Sequence, residues 1–198
     1  MGETQIAMRR AAGSADVDRV RALMLEYGEY LAANPAGAAS ICLSGYEEEL
    51  AGLPAPYVAP GGLLLALADG EAAGCVALKP LKPMGVAAET AGASKGEGGG
   101  GALELKRLWV RPAFRGLRLG HRLMQAAIDH ARAARASAIY LDTVPAAMPE
   151  ANRLYAAMGF ARTERYNDNP VADVVFFQLR LDSGSEPRVV RESASTTF

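Results

Sequence analysis

Apolar positions early in the chain recur at helical spacing. Val17, Val20, Met24, Tyr27 and Leu31 share one face, and Ser14 or Asp16 can cap the helix that carries them. Asn34-Pro35 marks its end. Ser44 with Glu47 forms a capping box for a shorter second helix. Tyr46, Leu50 and Leu53 are its buried stripe, and Pro54, Pro56 and Pro60 stop it. Ahead of both helices, Ile6 to Ala11 predicts a short strand.

The period then changes. Leu63 to Ala68 and Ala72 to Leu78 are continuous apolar runs joined through Asp69-Gly70, a hairpin signal, and Pro80 and Pro83 end the second run. Residues 83–102 are rich in Gly, Ala and Ser without periodicity and predict a flexible loop. Leu103 to Val110 predicts a strand. Leu119 to Arg135 predicts an amphipathic helix with Leu123, Met124, Ala127, Ile128 and Ala131 on its apolar face. Ala138 to Asp142 follows as a strand and Pro149 to Met158 as a helix, with Gly159 suited to its end. Phe160 to Tyr166 and Val174 to Leu181 are strands separated by the Asn167-Asp168-Asn169-Pro170 turn. From 183 to 198 the chain is polar and is expected to be a disordered tail. This order predicts a single α/β domain over residues 5–182 with a sheet of mixed direction.

Composition narrows the class. The chain has 198 residues, half of them hydrophobic, which is enough for one domain with a real core. A net charge of −1 gives no overall attraction to nucleic acid. No apolar run is long enough to span a membrane, and no signal peptide is expected. Ile6 occupies the Ser/Thr position of a myristoylation motif, which argues against lipidation. Cys42 and Cys75 lie in apolar surroundings without metal-ligand spacing, as free thiols of a reducing cytoplasm would. His121 and His130 have no ligand cluster around them, so no metal is expected.

The chemistry gathers between Glu104 and His121, in ELKRLWVRPAFRGLRLGH. A strand, a tight basic glycine turn and a helix start follow one another there. That order brings backbone N–H groups and the positive end of a helix dipole to one point, and both attract phosphate. Lys106, Arg107, Arg111, Arg115, Arg118 and Arg122 crowd the segment, with Glu104 its sole acidic residue.

Three features in one order carry a resemblance: the strand with VRPAFRGLRLG, then IYLDT, then NRLYAAMGF. The series resembles the GNAT superfamily of acyl-CoA-dependent N-acetyltransferases over roughly residues 5–182. The resemblance implies a twisted, mostly antiparallel mixed sheet flanked by helices and splayed near Val110. It implies acetyl-CoA as cosubstrate, with its phosphates on the turn Arg115, Gly116, Leu117, Arg118, Leu119 and Gly120. His121 and Asn152 are further candidate contacts. Leu108, Trp109 and Val110 are the candidates to pair with the pantetheine arm. Arg118 stands where the family's turn has a glycine. Tyr155 is the implied general acid that protonates the departing thiolate, and Glu104 is the candidate general base. Tyr27, Tyr30, Tyr46 and the segment Tyr166 to Asn169 are candidates to line the acceptor site. The implied acceptor is a small-molecule or peptide amine, attacked directly in a ternary complex. A homodimer is compatible with the sequence. Two rival readings are a non-catalytic acyl-CoA-binding regulatory module and an unrelated nucleotide-phosphate binder. The absence of a Gly-Lys-Ser/Thr loop and of a dinucleotide GxGxxG between a strand and a helix counts against the second.

Overall fold

The computed structural model describes residues 4–33, 45–81 and 101–181. Asn34-Pro35, Cys42, Ser44, most of the glycine-rich segment and the polar tail lie outside the described residues. The elements are β1 (Ile6–Arg10), α1 (Gly13–Ala32), α2 (Tyr46–Ala51), β2 (Gly62–Ala68) and β3 (Glu71–Pro80), then β4 (Leu103–Val110) and α3 (Leu119–Ala133). β5 (Ala138–Thr143), α4 (Pro149–Ala157), β6 (Ala161–Thr163) and β7 (Val175–Arg180) complete the chain.

The strands form one seven-stranded sheet in the order β1-β2-β3-β4-β5-β7-β6. Every neighbouring pair is antiparallel except β4 and β5. Asp69 and Gly70 both take positive φ, at 49° and 83°, as the two central residues of a tight hairpin turn with the right twist require.

Helices cover both faces, which explains why β2 and β3 read as unbroken apolar runs. Leu63, Leu65 and Leu67 pack with Val20, Leu23 and Met24 of α1 and with Leu50 of α2. Leu64 and Ala66 face the other way, onto Leu123, Met124 and Ala127 of α3. Complete burial of each such leucine contributes about 1.5–3 kcal/mol.

Three boundaries differ from the sequence reading. α1 begins at Gly13, ahead of both candidate caps, because the Asp16 carboxylate reaches back to accept the Ala12 N–H at 3.2 Å. Asp16 is held there by Arg9, with a 2.7 Å ion pair. α2 starts after Gly45, which takes φ 84°. β6 keeps only Ala161–Thr163 of the expected Phe160–Tyr166. The ends of that segment are claimed by the interior: Phe160 packs 6.1 Å from the Tyr155 ring, and Tyr166 is 1% exposed.

Candidate active site

The parallel pair β4 and β5 is joined only at Leu103↔Ile139 and Glu104↔Tyr140. Beyond Glu104 the two strands part, so the splay expected near Val110 is already open at Leu105. On its other edge β4 carries a bulge. Cys75 pairs with Trp109 and Ala77 with Lys106, leaving Arg107 and Leu108 opposite Val76 alone. Arg107 takes φ 59° there. A bulge interrupts the ladder and leaves the extra residue unpaired.

The cleft has two lobes that share Leu108 and Met148. The first, of about 400 Å³, runs from Trp109 and Val110 past Tyr30 to Arg115, Gly116, Arg118, Leu119 and Gly120. Its far end is the N-terminus of α3, where Arg118 is the cap residue and supplies no side-chain cap bond. The first amides of the helix therefore keep their donors free for a ligand. Arg118 takes φ 56°, ψ 24°, the left-handed conformation that glycine adopts without strain. The Arg115 guanidinium lies 5.4 Å from the Tyr30 ring centre and 5.7 Å from that of Trp109. Both rings, 4.9 Å apart, lie on one side of the guanidinium within cation–π reach, and its other side is open to an anion.

The second lobe, of about 150 Å³, is polar and is lined by Tyr27, Lys106, Arg107, Asp142, Thr143, Tyr155 and Asn169 among others. Tyr155 sits on α4 with its ring 6.2 Å from Phe177. Burial pushes its phenol above the ordinary tyrosine value, so it holds its proton at neutral pH.

Behind this lobe lies a buried charge network. Lys106 Nζ lies between the Glu104 and Asp142 carboxylates, at 2.8 and 2.6 Å. Lys79 adds a second cation on Glu104 at 2.9 Å. The Tyr166 hydroxyl and the Asn167 amide donate to the same Glu104 oxygen, each at 3.1 Å. Asn167 and Asn169 donate to Asp142 Oδ2 at 3.0 and 2.9 Å. Burial pushes Glu104 and Asp142 upward, but the cations and hydrogen bonds outweigh it and hold both carboxyls below their usual range.

Glu104 is thus a poor fit to its expected part as general base. It is 3% exposed, does not line the cleft, and both its oxygens are held by donors. Of the candidate cofactor contacts, Leu108, Trp109, Val110, Arg115, Gly116, Arg118, Leu119 and Gly120 border the first lobe. Leu117 and His121 do not: both are exposed, one on the outer side of the turn and the other on the outer side of the helix start. Asn152 is turned away, donating to the Met148 carbonyl at 2.9 Å and to Thr143 Oγ1 at 3.4 Å.

The basic segment is less free than its sequence implies. Lys106, Arg107 and Arg111 are taken by carboxylates of other elements, Arg107 by Glu49 and Arg111 by Glu26 and Glu71. Arg115 and Arg118 are left at the turn with no acidic partner among the described residues. Of the acceptor candidates, Tyr27 and Asn169 line the polar lobe and Tyr30 the other. Tyr46 is core, donating its hydroxyl to the Met24 carbonyl, and Asp168 is exposed. Sequence reasoning missed Asp142, although it is the aspartate of IYLDT at a strand end facing the cleft.

Residues 30–160 match the family model described as the acetyltransferase (GNAT) family. An uncharacterised N-acetyltransferase of Schizosaccharomyces pombe is 33% identical over 168 residues, covering 84% of this chain and 89% of the relative. Among solved structures, an acetyltransferase of the GNAT family from Staphylococcus aureus has a TM-score of 0.65 at 17% identity, covering 90% of this chain and all of the other (100%). A Salmonella typhimurium structure with its cofactor acetyl-CoA has a TM-score of 0.62 at 19% identity, covering 93% of this chain and 98% of the other. At these identities the two structures speak to the fold.

Proposed function

Because this chain belongs to the acetyltransferase (GNAT) family, we propose that it moves the acetyl group of acetyl-CoA to a primary amine by direct attack in a ternary complex. One observation carries the reading. The two lobes meet at Leu108 and Met148, so a thioester in the first lobe reaches the tyrosine of the second. The pyrophosphate of the cosubstrate belongs at the uncapped N-terminus of α3 with Arg115 and Arg118, and the acyl arm runs along Leu108 to Val110.

The amine lone pair attacks the thioester carbonyl carbon. The carbon–nitrogen bond forms as the carbonyl pair moves onto oxygen, where backbone N–H groups of the β4 bulge stabilise the new charge. That pair then returns, and the carbon–sulfur bond breaks. Tyr155 gives its proton to the departing sulfur, and the surplus proton on nitrogen passes to water and restores the tyrosine. The products are the acetylated amine and CoA. Glu104 fixes Lys106 from behind the lobe, and the amine arrives already neutral from solvent. No helix among the described residues is long and apolar enough to cross a membrane. The free, buried Cys75 fits a reducing compartment such as the cytoplasm.

Calorimetric titration of acetyl-CoA, with ATP as control, tests the cosubstrate. Release of free CoA thiol on adding a panel of primary amines tests the transfer. Selective binding followed by amine-dependent release is expected. Equal binding of ATP would overturn the cosubstrate assignment, and binding without release from any amine would overturn the transfer.

A further inference from the structure

We propose that Asp142 accepts a hydrogen bond from the acceptor amine, and that the acceptor carries no carboxylate on the carbon next to that amine. The inference rests on the acetyltransfer reading of the same cleft and names the kind of acceptor it takes.

Asp142 stands near the end of β5, its side chain 6% exposed, and borders the polar lobe. An ionised carboxylate offers about four lone-pair sites. Oδ1 takes Lys106 Nζ at 2.6 Å, and Oδ2 takes the amides of Asn167 at 3.0 Å and Asn169 at 2.9 Å. One site on Oδ1 remains. The two asparagines are themselves held, because Asn167 Oδ1 accepts the Asn169 N–H at 3.1 Å and Asn169 Oδ1 accepts the Val171 N–H at 3.0 Å. Their amide N–H groups are thereby aimed at Asp142, which fixes its orientation. As the amine attacks, its nitrogen gains positive charge, and an anion with a spare lone pair beside the thioester stabilises that change.

The same lobe has no place for a second anion. Lys106 is shared between Asp142 and Glu104. Arg107 is bound at both nitrogens to Glu49, at 2.9 and 2.6 Å. Among the described residues lining the lobe, no cation lacks a carboxylate partner. A carboxylate on the carbon beside the amine would meet Asp142 with nothing to neutralise it, and buried like charges repel strongly. Alkylamines, lysine-like side chains and the amine ends of polyamines meet this requirement, and free α-amino acids do not.

The test is binding of pentylamine, norleucine and norleucinamide to the CoA-loaded protein, followed by calorimetry. Norleucine is pentylamine with a carboxylate on the amine-bearing carbon, and its amide restores neutrality there. Pentylamine and norleucinamide are expected to bind at least tenfold more tightly than norleucine. That comparison needs no variant. In Asp142→Asn, pentylamine affinity is expected to fall at least tenfold, while acetyl-CoA affinity stays within twofold. Norleucine binding as tightly as pentylamine, unchanged pentylamine affinity in Asp142→Asn, or no binding of any of the three probes to a protein that does bind acetyl-CoA would each overturn the proposal. A protein that binds no acetyl-CoA overturns the parent reading as well.

Discussion

Arg107 and Glu49, 58 residues apart in the chain, form a bidentate ion pair with Nε–Oε1 at 2.9 Å and Nη2–Oε2 at 2.6 Å. Arg107 is the residue at the β4 bulge, and Glu49 lies on α2. The pair is reinforced on both sides. The Tyr57 hydroxyl donates to Glu49 at 2.6 Å, and the Arg107 guanidinium lies 4.6 Å from the centre of the Tyr46 ring. A helix far from β4 in sequence thus holds the strand irregularity beside the polar lobe. The unusual backbone of Arg107 persists because its side chain is tied down elsewhere.

Glu49→Ala leaves the Arg107 guanidinium partly buried without its carboxylate. Breaking such a pair is expected to cost about 2–3 kcal/mol of stability, read from urea unfolding. The bulge also loses its anchor, so turnover is expected to fall more than acetyl-CoA affinity. A variant with wild-type stability and turnover would show that the bulge is held by its backbone alone.

Acid stability follows from the same kind of pairing. Burial pushes Glu104, Asp142 and Glu49 upward, but their cations and hydrogen bonds leave all three below the usual carboxylate range. In the unfolded chain these groups titrate at about 3.9 for Asp and about 4.3 for Glu. Their contribution is therefore fully present above those values and is lost as pH falls through the lower folded-state values. Unfolding free energy is expected to be flat from neutral pH down to about pH 5 and to drop steeply below about pH 4. In Glu104→Gln the drop should be shallower, as one of the protons taken up on unfolding is gone. An identical acid limb in that variant would remove Glu104 from the account.

The order of elements was legible because it depends on local pattern. The hairpin signal at Asp69-Gly70 and the apolar face of α3 predicted elements that the structure contains. The ionic partners were not legible. Arg111 meets Glu26, 85 residues away, and Lys106 meets Asp142, 36 residues away. A run of basic residues therefore read as free charge when half of it is neutralised by distant carboxylates. Glu104 misled for the same reason, since Lys79 and the adjacent Tyr166 and Asn167 reach it from two other segments. The Asn-Asp-Asn-Pro turn looked like simple turn chemistry, and only the fold aims its two asparagines at Asp142.

Tyr155→Phe removes the phenol and keeps the ring that packs against Phe160 and Phe177. If Tyr155 is the acid, turnover is expected to fall by about 10²–10⁴ with acetyl-CoA affinity nearly unchanged. Because burial raises its phenol above the ordinary value of about 10, Tyr155 stays protonated through the range in which the acceptor amine loses its proton. The rate should therefore climb with pH as the amine becomes neutral, with no fall assignable to Tyr155 below about pH 10. Turnover within twofold of wild type in the phenylalanine variant would reject the role.

Arg118 links the turn ahead of α3 to stability in a way that separates backbone from side chain. It caps α3 in the left-handed conformation, where a non-glycine residue is strained by about 1 kcal/mol. Arg118→Gly relieves that strain but gives the unfolded chain more freedom, so a net gain of no more than about 1 kcal/mol is expected. The helix amides stay in place in the variant, and only the guanidinium is lost. Trp109, the single tryptophan of the chain, lies in the cleft 4.9 Å from the Tyr30 ring and beneath Arg115, so its fluorescence reports occupancy directly. If the guanidinium contacts phosphate, acetyl-CoA will quench or shift Trp109 emission at higher concentration in Arg118→Gly than in the wild type, by about tenfold for a lost charged contact. A titration midpoint that is unchanged, or lower, would mean that the amides of α3 and Arg115 hold the phosphates and that Arg118 serves the turn only through its backbone.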